Sequence, residues 1–347
     1  MTGKERVIRT MRGEPVDALP NMAITMMKAA DEIGVPYKIY AMDAVAHARG
    51  QAAVSRAYGF DHVSGISDPA VEASDLGAAV IYRDDAPPAI DDTDPLLLDT
   101  GRLVALKVPD PWSAPRMRKR IDVVRRLKKE CGAEKAVEGW IEGPMAESCD
   151  LRGLSRLLMD FFDAPSFVRD LVTFVVEMEL AFARAQIEAG ADYIGVGDAA
   201  ASLMGPDLYR EFIWEAEKKC IRELHRMGVP VRLHICGNIT PLLEMIADVE
   251  ADIVDLDSMV SVKEAREKLG PGRCLAGNIN PVADLRNGTP LSVATGLEAC
   301  FRAAGGAWYA VAAGCEVPRD TPAENLLAMA RFAQAHRPPD GRNGPSA

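Results

Sequence analysis

No stretch of about 18 apolar residues occurs anywhere in this 347-residue sequence, so no segment reads as a membrane span. Positive charge is also scarce. The 40 Lys and Arg are outnumbered by 51 Asp and Glu, a net charge of −11 that argues against nucleic acid or an anionic membrane as partner. The opening Met1-Thr2-Gly3-Lys4-Glu5-Arg6 lacks the apolar core of a signal peptide, which makes the cytoplasm the expected location. Seven cysteines, an odd number scattered along a long chain, do not form a disulfide framework. No G-x-G-x-x-G follows an apolar run, which removes the dinucleotide fingerprint, and no internal repeat is visible. Only the tail, 337–347, has the composition of a disordered segment.

What the chain does contain is alternation. Short apolar runs at Leu19–Thr25, His62–Ile66, Ala136–Ile141, Asp192–Val196, Val229–Ile235, Asp252–Leu256, Arg273–Ala276 and Trp308–Ala312 read as strands. Helix-like stretches lie between them, at Ser166–Ala189, Pro206–Met227, Ile239–Val249, Val262–Leu269 and Leu291–Ala304. Eight strands alternating with helices predict an α/β fold, a single (β/α)₈ TIM barrel over residues 1–336 with an N-terminal extension. An open doubly wound sheet is the alternative. The Asp- and Pro-rich stretch at 84–112 reads as an inserted excursion or hairpin.

Most of these strands end in residues able to do chemistry. The ends carry Asp68, Glu142, Asp198, His234 with Cys236 and Asn238, Asp255 with Asp257, Asn278, and Cys315 with Glu316. In a barrel these ends converge on one face, where catalytic groups sit. His234 and Cys236 are two apart at a strand end, so their side chains point the same way. With Cys315 they would make an imidazole and two thiolates, a zinc set whose fourth position stays open for substrate. From spacing alone, a buried Cys beside a hydrogen-bonded His is an equal reading. Gly237 and Gly314 flank the two cysteines, as expected where backbone turns tightly around a ligand.

The segments Leu233-His234-Ile235-Cys236-Gly237-Asn238, Gly314-Cys315-Glu316-Val317-Pro318 and Thr321-Pro322-Ala323-Glu324-Asn325 resemble the methylcobalamin-dependent methyltransferase branch of the uroporphyrinogen decarboxylase superfamily. Met11-Arg12-Gly13-Glu14-Pro15-Val16-Asp17 with Leu19-Pro20 is similar to that superfamily's N-terminal signature. Gly143-Pro144, Leu151-Arg152-Gly153 and Gly197-Asp198 also look similar. The resemblance runs from about residue 4 to 335. It implies a (β/α)₈ barrel and maps the family's zinc ligands onto His234, Cys236 and Cys315. Two departures matter. The decarboxylases carry arginines just after the early Pro, whereas Asn21-Met22-Ala23-Ile24-Thr25-Met26-Met27-Lys28 has none, so a porphyrinogen's carboxylates would lack counter-charges. The chain also has no D-x-H-x-x-G motif, so methylcobalamin or another corrinoid must arrive on a separate corrinoid protein.

The resemblance therefore implies a Zn²⁺ methyltransferase moving a methyl group between a corrinoid and a small acceptor or donor, either a thiol such as coenzyme M or tetrahydrofolate. A decarboxylase-type tetrapyrrole enzyme and a non-catalytic corrinoid-binding barrel are the alternatives, and a homodimer is left open. Asp68, Glu142 and Asp198 are the candidate catalytic carboxylates, with structural ion pairs or loop positions as the competing reading. Glu72, Asn238, Asp257 and Asn278 are candidates for substrate binding. Met22, Met26 and Met27 read either as core or as an apolar mouth.

Overall fold

The computed structural model describes residues 1–306 and 308–338; beyond Pro338, the tail expected at 337–347 lies outside them. The strands are β1 (His62–Ser64), β2 (Val80–Ile81), β3 (Ala89–Ile90), β4 (Ala136–Glu142), β5 (Tyr193–Gly197), β6 (Val231–Ile235), β7 (Ile253–Leu256), β8 (Cys274–Ala276) and β9 (Tyr309–Ala310). Seven form one parallel curled sheet in the order β1-β4-β5-β6-β7-β8-β9, with helices in the crossovers. An antiparallel hairpin, Val80 opposite Ile90, begins before the expected excursion at 84–112 and has only its second strand inside it, followed by a 3₁₀ turn over Thr100–Ala105.

The first expected strand, Leu19–Thr25, is not a ladder strand, yet it occupies the eighth position. Asn21 bridges in parallel to Val311 at one edge of the sheet. At the other edge its carbonyl accepts from the Asp61 N–H (2.9 Å), while its own N–H donates to the Asp61 carboxylate (2.9 Å). Pro20 has no N–H to give, and a side chain stands in for the missing ladder partner. The barrel closes through that segment.

Alternation within the strands decides what faces inward. Val137 and Ile141 of β4 pack against the outer helices, while Ala136 and Trp140 belong to the barrel interior. Val7 and Met11 of the N-terminal helix Gly3–Met11 close the bottom of the barrel against Tyr193, Ile253 and Cys274. The helix starts on a capping box, in which Thr2 and Glu5 exchange side-chain and backbone hydrogen bonds. Across the top the register aligns Glu142, Gly197, His234, Asp255, Ala276 and Ala310 in one row.

Some helices deviate from their periodicity. Pro206–Met227 breaks into a wide π turn at Tyr209–Ile213 before Trp214–Arg226, and Ile239–Val249 starts with a 3₁₀ turn. Among the described residues no helix is long and apolar enough to cross a membrane.

Trp140 lies across β5, where only glycine fits. A Cβ at Gly195 would come within 2.7 Å of Trp140 Cζ3, and one at Gly197 within 2.6 Å of Cζ2. Gly195→Ala should therefore cost about 1–3 kcal/mol through overpacking, read as a lower urea midpoint. An unchanged midpoint would contradict this packing.

Candidate metal centre

β6 delivers two inward side chains in succession, Arg232 and then His234, and Cys236 follows just past its end. The chain turns away at Gly237, whose φ of +87° suits glycine and whose Cβ position is blocked 2.8 Å away by Ser202 Oγ. Asp257, past the end of β7, fixes that turn by accepting from Gly237 N–H (2.9 Å) and Met259 N–H (2.9 Å). Cys315 arrives after β9 on a loop pressed against the β7 loop, so close that a Cβ at Gly314 would strike the Ser258 backbone.

These elements bring three donors together. His234 Nε2 is 3.2 Å from Cys236 Sγ, and Cys236 Sγ is 3.8 Å from Cys315 Sγ. All three ligand atoms lie within 4.8 Å of one another, the arrangement required of a shared metal. Two thiolates on a tetrahedral zinc, with Zn–S bonds of about 2.3 Å, sit about 3.8 Å apart, so the donor set fits that ion.

The other ring nitrogen fixes the imidazole. His234 Nδ1 is 3.2 Å from Asp255 Oδ2 and 3.3 Å from the Asp255 carbonyl, which leaves Nε2 for the sulfurs. Asp255 is gripped from below by Arg232, through Nη2 (2.6 Å) and Nε (3.1 Å), and Arg232 reaches Glu138 on its other side (3.4 Å). Burial raises the Asp255 carboxyl, but Arg232 and then His234 outweigh it and hold it below the usual range. Burial likewise lowers His234, yet Asp255 and the neighbouring Cys315 lift it to about 10. A hydrogen bond from Cys236 pulls Cys315 down to about 5 against burial, while Cys236 itself is pushed far up.

The three donors open onto a cleft of about 130 Å³. One wall is apolar, formed by Ile24, Met26, Ile66, Pro69 and Trp140, and Gly197 and Ala199 keep the floor low. Two carboxyl groups complete it. Glu142 accepts from Trp140 Nε1 (3.0 Å), and Glu316 accepts from Met27 N–H (2.8 Å). Burial, then the neighbouring Glu72, pushes the Glu142 carboxyl well above its ordinary range. Of the methionines, Met26 lines this cleft, whereas Met22 is buried in the barrel core.

The remaining expected site residues are placed elsewhere. Asp68 is held by Arg116 (2.7 Å) and Ser67 (2.7 Å) and is not among the described residues lining the cleft. Asp198 caps the helix Pro144–Arg152, accepting from Ala146 N–H (2.6 Å) and Met145 N–H (3.3 Å). Glu72 is buried against Arg120 (3.3 Å). Asn238 is exposed and holds its own turn through Thr240 N–H (3.1 Å). Asn278 staples the β7 loop by donating to the carbonyls of Asp257 (2.8 Å) and Val260 (2.6 Å). Asp257, as described, orders the Cys236 turn. Each of these carboxylates and amides satisfies backbone groups or cations at strand ends, a demand that a strand-end pattern does not distinguish from catalysis. Two residues the candidate list lacked, Asp255 and Arg232, orient the centre. Their signal was present, since Arg232 shares the inward face of β6 with His234 and Asp255 ends the next strand.

The match to known proteins runs along nearly the whole chain. The family model described as Uroporphyrinogen decarboxylase (URO-D) matches residues 2–336. The chain belongs to that family. Within it, methylcobamide:CoM methyltransferase MtbA of Methanosarcina mazei is 28% identical over 353 residues, covering 97% of this chain and 98% of that protein. Methylcobamide:CoM methyltransferase MtaA of Methanosarcina barkeri is 24% identical, covering 94% and 96%. A uroporphyrinogen decarboxylase of Nocardia farcinica is 33% identical, but over only 34% of this chain and 33% of its own length. A solved methyltransferase from Methanosarcina mazei shares the fold with a TM-score of 0.89 at 22% identity, over 96% of this chain and 99% of its own.

Asp255→Asn should weaken zinc binding about 10–100-fold, because the imidazole loses its anionic partner, as read by competition with a chelating dye. An affinity equal to the parent's would contradict the orienting role.

Proposed function

We propose that this protein is a zinc-dependent methyltransferase that moves a methyl group between a corrinoid, carried by a separate protein, and a thiol. The observation that carries the reading is the convergence of His234 Nε2, Cys236 Sγ and Cys315 Sγ at the mouth of a barrel-top cleft. A zinc ion bound by three protein ligands would supply a Lewis acid with an open position suited to a sulfur nucleophile. The full-length similarity to methylcobamide:CoM methyltransferases supports the corrinoid as methyl carrier.

The chain's own groups do the positioning. Asp255 keeps Nε2 turned to the sulfurs, Asp257 holds the Cys236 turn, and the Ile24, Ile66 and Trp140 wall excludes water beside the donors. Such a transfer is an in-line displacement in which alignment of two partners supplies most of the rate. Exposed Leu203, Met259 and Val282, on the loops after β5, β7 and β8, offer apolar contacts at the rim for a corrinoid protein. A cytoplasmic setting suits two cysteines that must stay reduced.

A thiol fits better than a pterin. The side chains that could have hydrogen-bonded a pterin ring, Asp198, Asp257, Asn238 and Asn278, are engaged by backbone groups outside the cleft. A porphyrinogen fits worse, because no Lys or Arg is among the described residues lining the cleft.

Purified protein is expected to hold about one zinc per chain, and Cys236→Ala or Cys315→Ala to lose it. Anaerobic transfer from methylcobalamin to a simple thiol, followed at the cobalt spectrum, should fall at least about 100-fold in either variant. Full transfer by zinc-free protein would contradict the reading.

A further inference from the structure

Behind the cleft lies a cluster of carboxyls that the metal centre does not use. Glu142 lines the cleft itself. Packed behind it are Glu72 on the helix Val71–Leu76, Glu147 on the helix Pro144–Arg152 and Glu179 on the helix Pro165–Ala189, all four at most 5% exposed. The Glu72 carboxyl faces the Glu142 backbone and hydrogen-bonds to Glu179, and Glu147 neighbours Glu179. Asp150, one helical turn on from Glu147, is half-buried next to the exposed Asp92 of the excursion. The cluster thus runs from the cleft to the surface.

Arg120 is the cation that faces this cluster, through Glu72 (3.3 Å), while Arg116 is taken by Asp68 (2.7 Å). Cys149 and Cys220 also border it, as thiols that burial keeps neutral. Both oxygens of Glu147, both of Glu179 and Oε2 of Glu72 meet no amide, hydroxyl or guanidinium donor among the described residues. A buried carboxylate without a partner is strongly disfavoured, so the group holds protons and keeps about one negative charge, the one that Arg120 balances. Burial, then a neighbouring carboxyl, pushes Glu142, Glu147, Glu179 and Asp150 well above the ordinary range. Burial lifts Glu72 only to about 7, because Arg120 opposes it.

We propose that these carboxyls form a proton path, which takes the thiol's proton at Glu142 and delivers it to water at Asp150. The inference rests on the zinc–thiol reading and deepens it. Transfer from a CH₃–Co(III) corrinoid to RSH gives RSCH₃, Co(I) and one proton. The sulfur supplies the electron pair of the new S–C bond, the C–Co pair stays on cobalt, and the S–H proton has to leave. A corrinoid across the mouth of the cleft blocks the direct way out, so the proton needs an inner one. The negative charge moves to Glu142 when that residue's proton passes inward to Glu72. The Glu142 carboxylate, whose Oε2 stands over Gly197 beside the cleft, then accepts the thiol's proton. Asp150 releases one proton to water and is refilled through Glu147, Glu179 and Glu72, which restores the charge beside Arg120.

An amide tests the path, since it replaces a neutral carboxylic acid at nearly equal size and equal charge but does not pass a proton on. In zinc-loaded Glu147→Gln, Glu179→Gln and Asp150→Asn, methyl transfer from methylcobalamin to 2-mercaptoethanol should slow at least about tenfold, with proton release to an indicator dye slowed in step. Zinc content and thiol binding should match the parent's, which separates a lost path from a damaged site. Asp150→Asn, at the half-buried end, spares the core should either glutamine variant fail to fold. Infrared spectra of the parent, with or without zinc, should show the C=O stretch of neutral carboxyls at neutral pH, where exposed carboxyls are ionised. Parental rates in any variant that folds, or no neutral carboxyl band, overturn the path and leave the zinc–thiol reading standing. A parent that binds no thiol overturns both.

Discussion

Asp255 is shared between a guanidinium below it and an imidazole beside it, and the geometry of the candidate centre follows from that sharing. A carboxylate buried at 1% exposure is tolerable only with its charge compensated, and Arg232, itself fully buried, supplies the compensation through two hydrogen bonds. Removing one partner from such a pair costs about 3–5 kcal/mol, so the pair is held in place by the penalty of breaking it. Once fixed, Asp255 leaves His234 one orientation, with Nδ1 on the carboxylate and Nε2 towards the cysteines. The chain continues inward to Glu138, His62 and Tyr193, a polar belt across a barrel otherwise filled by small and apolar side chains.

Barrel architecture explains why donors 79 residues apart in sequence meet. Parallel strands bring every loop that follows them to one face, and the register sets Glu142, His234 and Asp255 in a single row across β4, β6 and β7. Gly195 and Gly197 make room for Trp140, whose ring then walls the cleft and whose indole N–H holds Glu142. Much of the polar inventory at that face is engaged by other protein groups. Asp198 serves a helix N-terminus, Asp68 a buried arginine, and Asn278 a pair of loop carbonyls.

The barrel was legible in the sequence because period and punctuation report on burial, which strands and helices obey locally. Seven of the eight expected strands are present within a few residues, and the eighth keeps its place while losing its ladder to Pro20 and the Asp61 carboxylate. The meeting of His234 with Cys236 was legible because H-x-C at a strand end points both side chains the same way, whereas Cys315 joined them only through the family resemblance. Roles for carboxylates and amides were not legible. Asp198 and Asp257 at strand ends look the same in sequence whether they meet a substrate or a backbone N–H, and only the turn geometry decides. Asp255 was visible as a strand-end carboxylate but carried no assigned role, because its partner Arg232 lies on the neighbouring strand and their pairing shows only once the two strands are set side by side.

Taken together, the fold presents two cysteine sulfurs and a carboxylate-oriented imidazole to an apolar cleft, and in the proposed reading a zinc ion held by them would keep one coordination position for a substrate sulfur. Zinc-edge X-ray absorption on the purified protein tests that claim most directly. The account predicts two sulfurs and one imidazole nitrogen from the protein, with a third sulfur appearing when 2-mercaptoethanol is added. A first shell that lacks sulfur, or one that the thiol leaves unchanged, would contradict it.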